Sequence, residues 1–297
     1  MTILNFGSCN IDNVYAVPHI VAPGETISAT GLSTFAGGKG LNQSVALARA
    51  GGVVCHAGCI GADGLFLKEM LLSCGVDVSY LREVDGKTGH AIIMVDEHGQ
   101  NSIIVCGGAN QDITDRQITE TLSHFEAGDI VVLQNEINGL DKIIRQAHAK
   151  GMKIVLNPSP IRPNLEEIPL DYVWLLVANQ TELAQLSGED DVDKGVRKLM
   201  AKAPQTNILV TLGTDGCVLY SEGEVYRQSA FMVEAKDTTA AGDTFTGYVV
   251  SCLAKGMDKP SALRYASMAS AICVTREGAA PSIPTMHEVE AFAGHIE

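Results

Sequence analysis

Short, continuous apolar runs alternate along this chain with stretches in which apolar residues return every three or four positions. The runs at 3–7, 53–61, 130–134, 153–157, 172–178, 207–212 and 217–221 have the length and apolarity of buried strands, and a further strand starts at Gly75-Val76-Asp77. Helical periodicity predicts a helix with Leu41, Val45 and Ala48 on its apolar face, one ending near Cys74, and others over 114–126, 139–150, 181–187 and 192–202. Two more follow, one carrying Tyr248, Val249, Leu253 and Ala254 and one of small residues over 263–274. Buried strands separated by amphipathic helices predict an α/β fold, a mainly parallel sheet sandwiched by helices, in one domain spanning 1–297. Two stretches break this rhythm. Residues 14–35 alternate over short distances between Pro18, Pro23-Gly24 and Gly31, and the apolar arms 91–95 and 102–106 flank a hairpin signal at 96–100. They predict a small β-sheet serving as a lid, with strands from about 12–36 and 88–108.

With 297 residues, 46% hydrophobic and only 5% aromatic, the chain can bury a large core. Its 21 basic and 35 acidic residues leave a formal charge of −14, which argues against a general basic surface for nucleic acid or an anionic membrane. Local N–H groups and a cation can still hold a nucleotide. No run approaches the roughly 20 apolar residues of a membrane span, and the first strand starts without a leader-like segment, so a cytoplasmic protein is expected. Eight scattered cysteines with no C-x-x-C pair read as reduced, buried thiols and argue against a zinc site.

Candidate chemistry concentrates in residues 237–247, where small side chains at Ala240, Ala241 and Gly242 precede Asp243 and an apolar helix. The first turn of a helix has free N–H groups and the positive end of the peptide dipole, and small residues let a bulky anion approach them. A carboxylate there would repel that anion unless it has a task. Taking a proton from an alcohol that attacks a phosphoryl group is such a task. The plainer reading is an Asp N-cap.

Other polar strings follow strand ends. Asn10 and Asp12 come after the first strand, Glu136 after 130–134, and Asn179-Gln180-Thr181-Glu182 after an apolar run. Taken singly, these read equally well as turn residues or as a helix-start carboxylate. Gly37-Gly38-Lys39-Gly40 invites comparison with a P-loop and fails it, because Gly40 stands where the Ser or Thr that would bind magnesium should follow the lysine. Thr211 to Gly216 is a hairpin-like turn, and residues 275–284 form a Gly- and Pro-containing loop.

In this order the strings resemble those of the ribokinase family of carbohydrate kinases along the whole chain. The resemblance implies a ribokinase-like fold, with Asp243 as catalytic base and the Ala241, Gly242 and Asp243 amides as anion hole. It implies a sugar site of Asn10, Asp12, Gly38, Lys39, Gly40, Asn42, Glu136 and Asp243. For the nucleotide it implies Asn179, Glu182, Thr211, Gly213, Thr214, Gly216, Gly242 and Ser267, the last where the family commonly has His or Asn beside adenine. Glu182 would organise Mg2+ through water. A monovalent cation, K+ as activator, would be enclosed by Asp237, Thr239, Cys273, Arg276, Gly278 and Ser282. Ala240 stands where the family usually carries Gly.

The expected activity is ATP-dependent phosphorylation of the 5-hydroxyl of ribose. A second possibility keeps the chemistry and changes the acceptor to deoxyribose, another sugar or a nucleoside. A third, a silent sugar-binding protein, is disfavoured by the intact Asp243. An open-edged lid sheet needs covering, which predicts a homodimer through it.

Overall fold

A computed structural model describes residues 1–163, 165 and 168–296. The strands, in chain order, are β1 (Ile3–Phe6), β2 (Asn10–Ala16), β3 (Gly31–Gly37), β4 (Val54–Ile60), β5 (Asp77–Glu83), β6 (Gly89–Val95), β7 (Asn101–Cys106), β8 (Ile130–Gln134), β9 (Lys153–Asn157), β10 (Leu175–Asn179), β11 (Asn207–Thr211), β12 (Cys217–Ser221) and β13 (Glu224–Gln228). The helices are α1 (Lys39–Arg49), α2 (Leu65–Ser73), α3 (Asp115–Ser123), α4 (Leu140–Ala149), α5 (Gln180–Ser187), α6 (Val192–Lys202), α7 (Ala241–Ala254), α8 (Lys259–Val274) and α9 (Met286–Ile296).

Among the described residues the strands form two sheets. The larger has the order β13-β12-β11-β10-β9-β8-β1-β4-β5, parallel from β5 to β11, with the β11–β12 and β12–β13 pairs antiparallel. Successive side chains of a strand face opposite ways, so Ile3, Ile130 and Val132 join one apolar cluster while Leu4, Val131 and Leu133 join the other. The first cluster lies under α1, α2, α7 and α8 and the second under α3, α4 and α6. A sheet buried on both faces needs the continuous apolar strands read in the sequence.

The smaller sheet has the order β3-β2-β6-β7, with β2 parallel to β6 and its other pairs antiparallel. Its β2 starts at Asn10, only four residues after β1 ends. Asn10 and Asp12 therefore belong to the small sheet, which places them above the end of the large one.

Some boundaries differ from expectation. The expected strand at 172–178 begins with a 3-10 turn over Leu170–Tyr172, and β10 starts at Leu175. The helix expected over 263–274 starts a turn earlier, where Asp258 caps the Ser261 amide and Pro260 occupies the first turn. β13 and α9 carry no counterpart among the expected elements. β13 is a largely exposed edge strand whose pattern, Glu-Val-Tyr-Arg-Gln, contains too few apolar positions to stand out.

Candidate active site

β1 pairs with β4 on one side and β8 on the other, so the strand order reverses between β1 and β8. Open parallel sheets form a crevice at such a reversal, outside the carboxyl ends of the strands. Ser8, Glu136, Asn179 and Thr211 stand at or just past the ends of β1, β8, β10 and β11.

The start of α1 lies against the end of β1 because glycines leave room. A Cβ on Gly40 would fall 2.3 Å from Ser8 N and one on Gly37 would fall 1.9 Å from Asp12 Oδ2. Gly38, at φ 91°, turns the chain into the helix. Glu136 Oε2 accepts from Ser8 Oγ at 2.5 Å and from Lys39 N at 3.1 Å, and Gly40 N donates to Ser8 Oγ at 3.1 Å. A carboxylate thus sits at the positive end of α1. Asn10 Oδ1 accepts from Asn110 Nδ2 at 2.7 Å, and Asn110 Oδ1 accepts from Cys9 N at 3.0 Å.

Charge is packed densely here. Burial, reinforced by the Glu136 charge, pushes the Asp12 carboxyl up to about 7. Burial alone would lower the Lys39 ammonium, but the charges of Asp243, Glu136 and Glu182 outweigh it and its pKa is raised.

Asp243 lies in the first turn of α7 and is 8% exposed. It is not the N-cap. Ala240 holds that position in the left-handed region, at φ 60° and without a side-chain cap, which accounts for glycine being the residue the family usually places there. The Gly242 and Asp243 amides find no acceptor among the described residues, and Ala241 N makes only a 3.3 Å contact with Thr238 O. Asp243 Oδ2 accepts from Asn42 Nδ2 at 3.1 Å and Oδ1 from Gln43 Nε2 at 2.9 Å. Asn42 Oδ1 is buried with no partner among the described residues. These bonds reach across two helices because Gly247, one turn beyond Asp243, lets them touch: a Cβ there would lie 2.4 Å from Ala46 Cβ.

On the other side of α7 a cleft of about 340 Å3 is lined by Thr211, Gly213, Thr214, Gly216, Ala241, Gly242 and Ser267, with Phe231, Phe245 and Val274 among its apolar walls. Seven residues singled out in the sequence thus meet in one place. Asn179 and Glu182 are not in its lining. They form a capping box for α5, with Asn179 Oδ1 accepting from Glu182 N at 2.8 Å and Glu182 Oε2 from Asn179 N at 2.9 Å. The helix-start reading of Glu182 therefore holds, while its charge still reaches Lys39.

Residues 237–239 and 273–282 also meet. Asp237 Oδ1 accepts from Thr239 N at 2.8 Å and Oδ2 from Gly278 N at 2.9 Å. Burial raises the Asp237 carboxyl, but these bonds prevail and bring it below its usual value. Cys273 Sγ lies 3.1 Å from Ser282 Oγ and 3.7 Å from Thr239 O, and Arg276 N donates to Cys273 O at 3.0 Å. The Arg276 guanidinium turns away to Glu288, 2.6 Å distant, leaving only its backbone toward the loop.

Four residues that order the site lay outside the expected set. Ser8, Gln43 and Gln134 each stand within two residues of a position singled out in the sequence, while Asn110 comes from a segment that carries no local signal.

A buried carboxylate between a cluster of polar side chains and a cleft, at a helix start with free amides, is the layout of a phosphotransferase for a small hydroxylated acceptor. A profile described as pfkB family carbohydrate kinase matches residues 2–286. The chain is 38% identical to the ribokinase of Bacillus subtilis, covering 96% of each chain, and 34% identical to that of Haemophilus influenzae, covering 99% of each. It is similar to the structure of Arabidopsis thaliana ribokinase complexed with ribose and ATP, with TM-score 0.86 and 32% identity over 98% of this chain and 97% of that one. The chain belongs to the pfkB family of carbohydrate kinases and is a sugar phosphotransferase.

Proposed function

We propose that this protein transfers the terminal phosphoryl group of ATP to the 5-hydroxyl of D-ribose, giving D-ribose 5-phosphate. The observation that carries this reading is Asp243, buried between the Asn42 amide and the cleft at the start of α7. Its full-length likeness to ribokinases supports ribose as the acceptor.

In this reading Asn10, Asp12, Gly38, Lys39, Gly40, Asn42 and Glu136 bind the sugar. Asn42 Oδ1, buried without a partner, is a ready acceptor for a sugar hydroxyl. Asp243 takes the proton of the attacking hydroxyl. The Ala241, Gly242 and Asp243 amides stabilise charge on the transferring phosphoryl oxygens, and Lys39 neutralises part of it. Thr211, Gly213, Thr214, Gly216 and Ser267 line the cleft assigned to the nucleotide.

Among the described residues no group of three or more His, Cys, Asp or Glu side chains forms a metal cage. The donor set suits Mg2+ brought in with the nucleotide, which Glu182, its carboxylate fixed by the Asn179 amide, would help to hold through water. When bound, Mg2+ neutralises phosphate charge. For K+, the hard oxygens of Asp237, Thr239 and Ser282 fit, with backbone oxygens of Cys273, Arg276 and Gly278 on the same loops. K+ there would orient the neighbouring amides.

The small sheet is assigned the role of a lid that excludes water and the contact surface of a homodimer. Leu32, Phe35, Ile103, Ile104 and Val105 on its strands are exposed, more apolar surface than one sheet should leave in water. A cytoplasmic location fits eight cysteines that are all free thiols. Purified protein assayed with ATP against ribose, deoxyribose, other pentoses, hexoses and nucleosides tests the reading. Ribose should give the highest kcat/KM, and a better acceptor would replace it.

A further inference from the structure

Asp243 is the outer end of a buried polar chain. Its Oδ1 accepts from Gln43 Nε2 at 2.9 Å, and Gln43 Oε1 accepts from Gln134 Nε2 at 2.7 Å. The same Gln134 nitrogen donates to Asn5 Oδ1 at 2.9 Å. Asn5 Nδ2 donates to the Gly40 carbonyl at 2.6 Å and to Ser44 Oγ at 2.8 Å, and Ser44 Oγ lies 2.8 Å from His56 Nδ1. Asn5, Gln43, Ser44, His56 and Gln134 are each 0% exposed. Polar side chains in such a place cost free energy that apolar ones would not, so their retention calls for a role beyond packing.

The direction of every bond from Gly40 through Asn5, Gln134 and Gln43 to Asp243 is dictated from the inner end. The Gly40 carbonyl can only accept, so Asn5 must turn its nitrogen toward Gly40 and its oxygen toward Gln134. Gln134 must then present its nitrogen, which has two protons and places the second on Gln43 Oε1. With its oxygen so engaged, Gln43 can offer Asp243 only N–H. Gln134 keeps this orientation although its own Oε1 is left buried with no partner among the described residues. Gly7 makes room for that oxygen, since a Cβ there would fall 2.4 Å from it.

We propose that Gln43 and Gln134 are positioning residues for phosphoryl transfer. They tie down Asp243 Oδ1 and leave Oδ2, the oxygen shared with Asn42, to receive the proton of the sugar hydroxyl. The inference rests on Asp243 being the general base. Gln134 is fully buried and does not line the cleft, so its effect on catalysis passes through Gln43. Lys39 from α1 and Cys273 from α8 also face Asp243 and are unaltered by the variants that follow.

Steady-state kinetics of Gln134→Glu and Gln134→Leu from pH 5.5 to 9, with ATP and the preferred sugar, provide the test. In Gln134→Glu the ionised side chain cannot donate, Gln43 is free to turn its oxygen on Asp243, and the base is harder to ionise. Its kcat at neutral pH should fall about tenfold to a hundredfold, with sugar KM within about threefold and the acid limb of kcat moved to higher pH. Gln134→Leu, of similar volume, should lose about fivefold to tenfold in kcat and carries the same test if the glutamate variant does not fold. Folded variants with unchanged kcat and an unmoved acid limb would overturn the proposal, as would a large rise in sugar KM with kcat intact. Asp243→Asn separates the two readings: full activity there removes the base itself, whereas an inactive Asp243→Asn beside fully active Gln134 variants removes only the positioning chain.

Discussion

On one side of Asp243 stand Asn10, Asp12, Lys39, Asn42 and Glu136, and the side chains of Asn10, Asn42 and Glu136 are fixed by bonds to residues distant in the chain. On the other lies a cleft whose walls are mostly apolar, broken by Thr211, Thr214, Ser267 and the free amides at the start of α7. The difference teaches how one cleft can treat two substrates unequally. A site of buried polar groups rejects an acceptor that leaves them unpaired, because each unpaired group costs about 1–3 kcal/mol. A site of backbone amides and apolar walls holds phosphates and a flat base mainly by charge and shape. Stringent choice of acceptor and looser choice of nucleotide are expected.

The largest effect should come at the boundary between the halves. Asp243→Asn should lower kcat by at least about a hundredfold while sugar binding, measured by calorimetry, persists. Near-normal turnover would detach Asp243 from the chemistry and erase the boundary. Next, Gly247→Ala drives a methyl into Ala46 and the Leu47 backbone, prying α1 from α7. It should cost about 1–3 kcal/mol of stability by denaturant titration and about tenfold in kcat by separating Asn42 and Gln43 from Asp243.

The polar half should also announce itself through pH. With the Asp12 carboxyl raised to about 7, its ionised, hydrogen-bond-accepting form is lost as pH falls below that value, so sugar KM should rise about tenfold between pH 8 and pH 6. Because the folded value lies above the unfolded one, the favourable contribution of this group to stability is full in acid and is lost as pH rises through about 7. Asp12→Asn should flatten the KM profile and raise the melting temperature above pH 7. The smallest effect belongs to the loop beneath the cleft: replacing K+ by Na+ should slow turnover severalfold, about 1 kcal/mol, with sugar affinity unchanged. Equal rates in the two salts would leave Asp237 and Ser282 with a purely structural role.

Legibility followed chain distance. Asp243 and its small neighbours could be read because a helix start and its anion site are made by consecutive residues. The glycines before α1 were legible as a loop, but their tight contact with β1 was not, since Ser8 and Gly40 meet only when β1 and α1 pack. Asn179 and Glu182 invited a ligand role and are locally explained by their capping box, showing that one spacing can serve two purposes. Asp12 fell at the start of the expected small sheet, whereas Asn10, expected just after β1, already belongs to that sheet because the chain crosses between sheets within four residues.

The sequence by itself determined the alternation of buried strands and amphipathic helices, the presence of a second small sheet, and the residue types able to move a proton and hold a phosphate. Periodicity and turn chemistry are local, and local chemistry is written in consecutive residues. Only the tertiary structure decided that Gln134 and Asn110 order the site, that Gly247 brings Asn42 and Gln43 to Asp243, and that the Asp12 carboxyl stands near 7. Those outcomes depend on burial and on bonds between segments as much as 201 positions apart, and no neighbouring residue reports them.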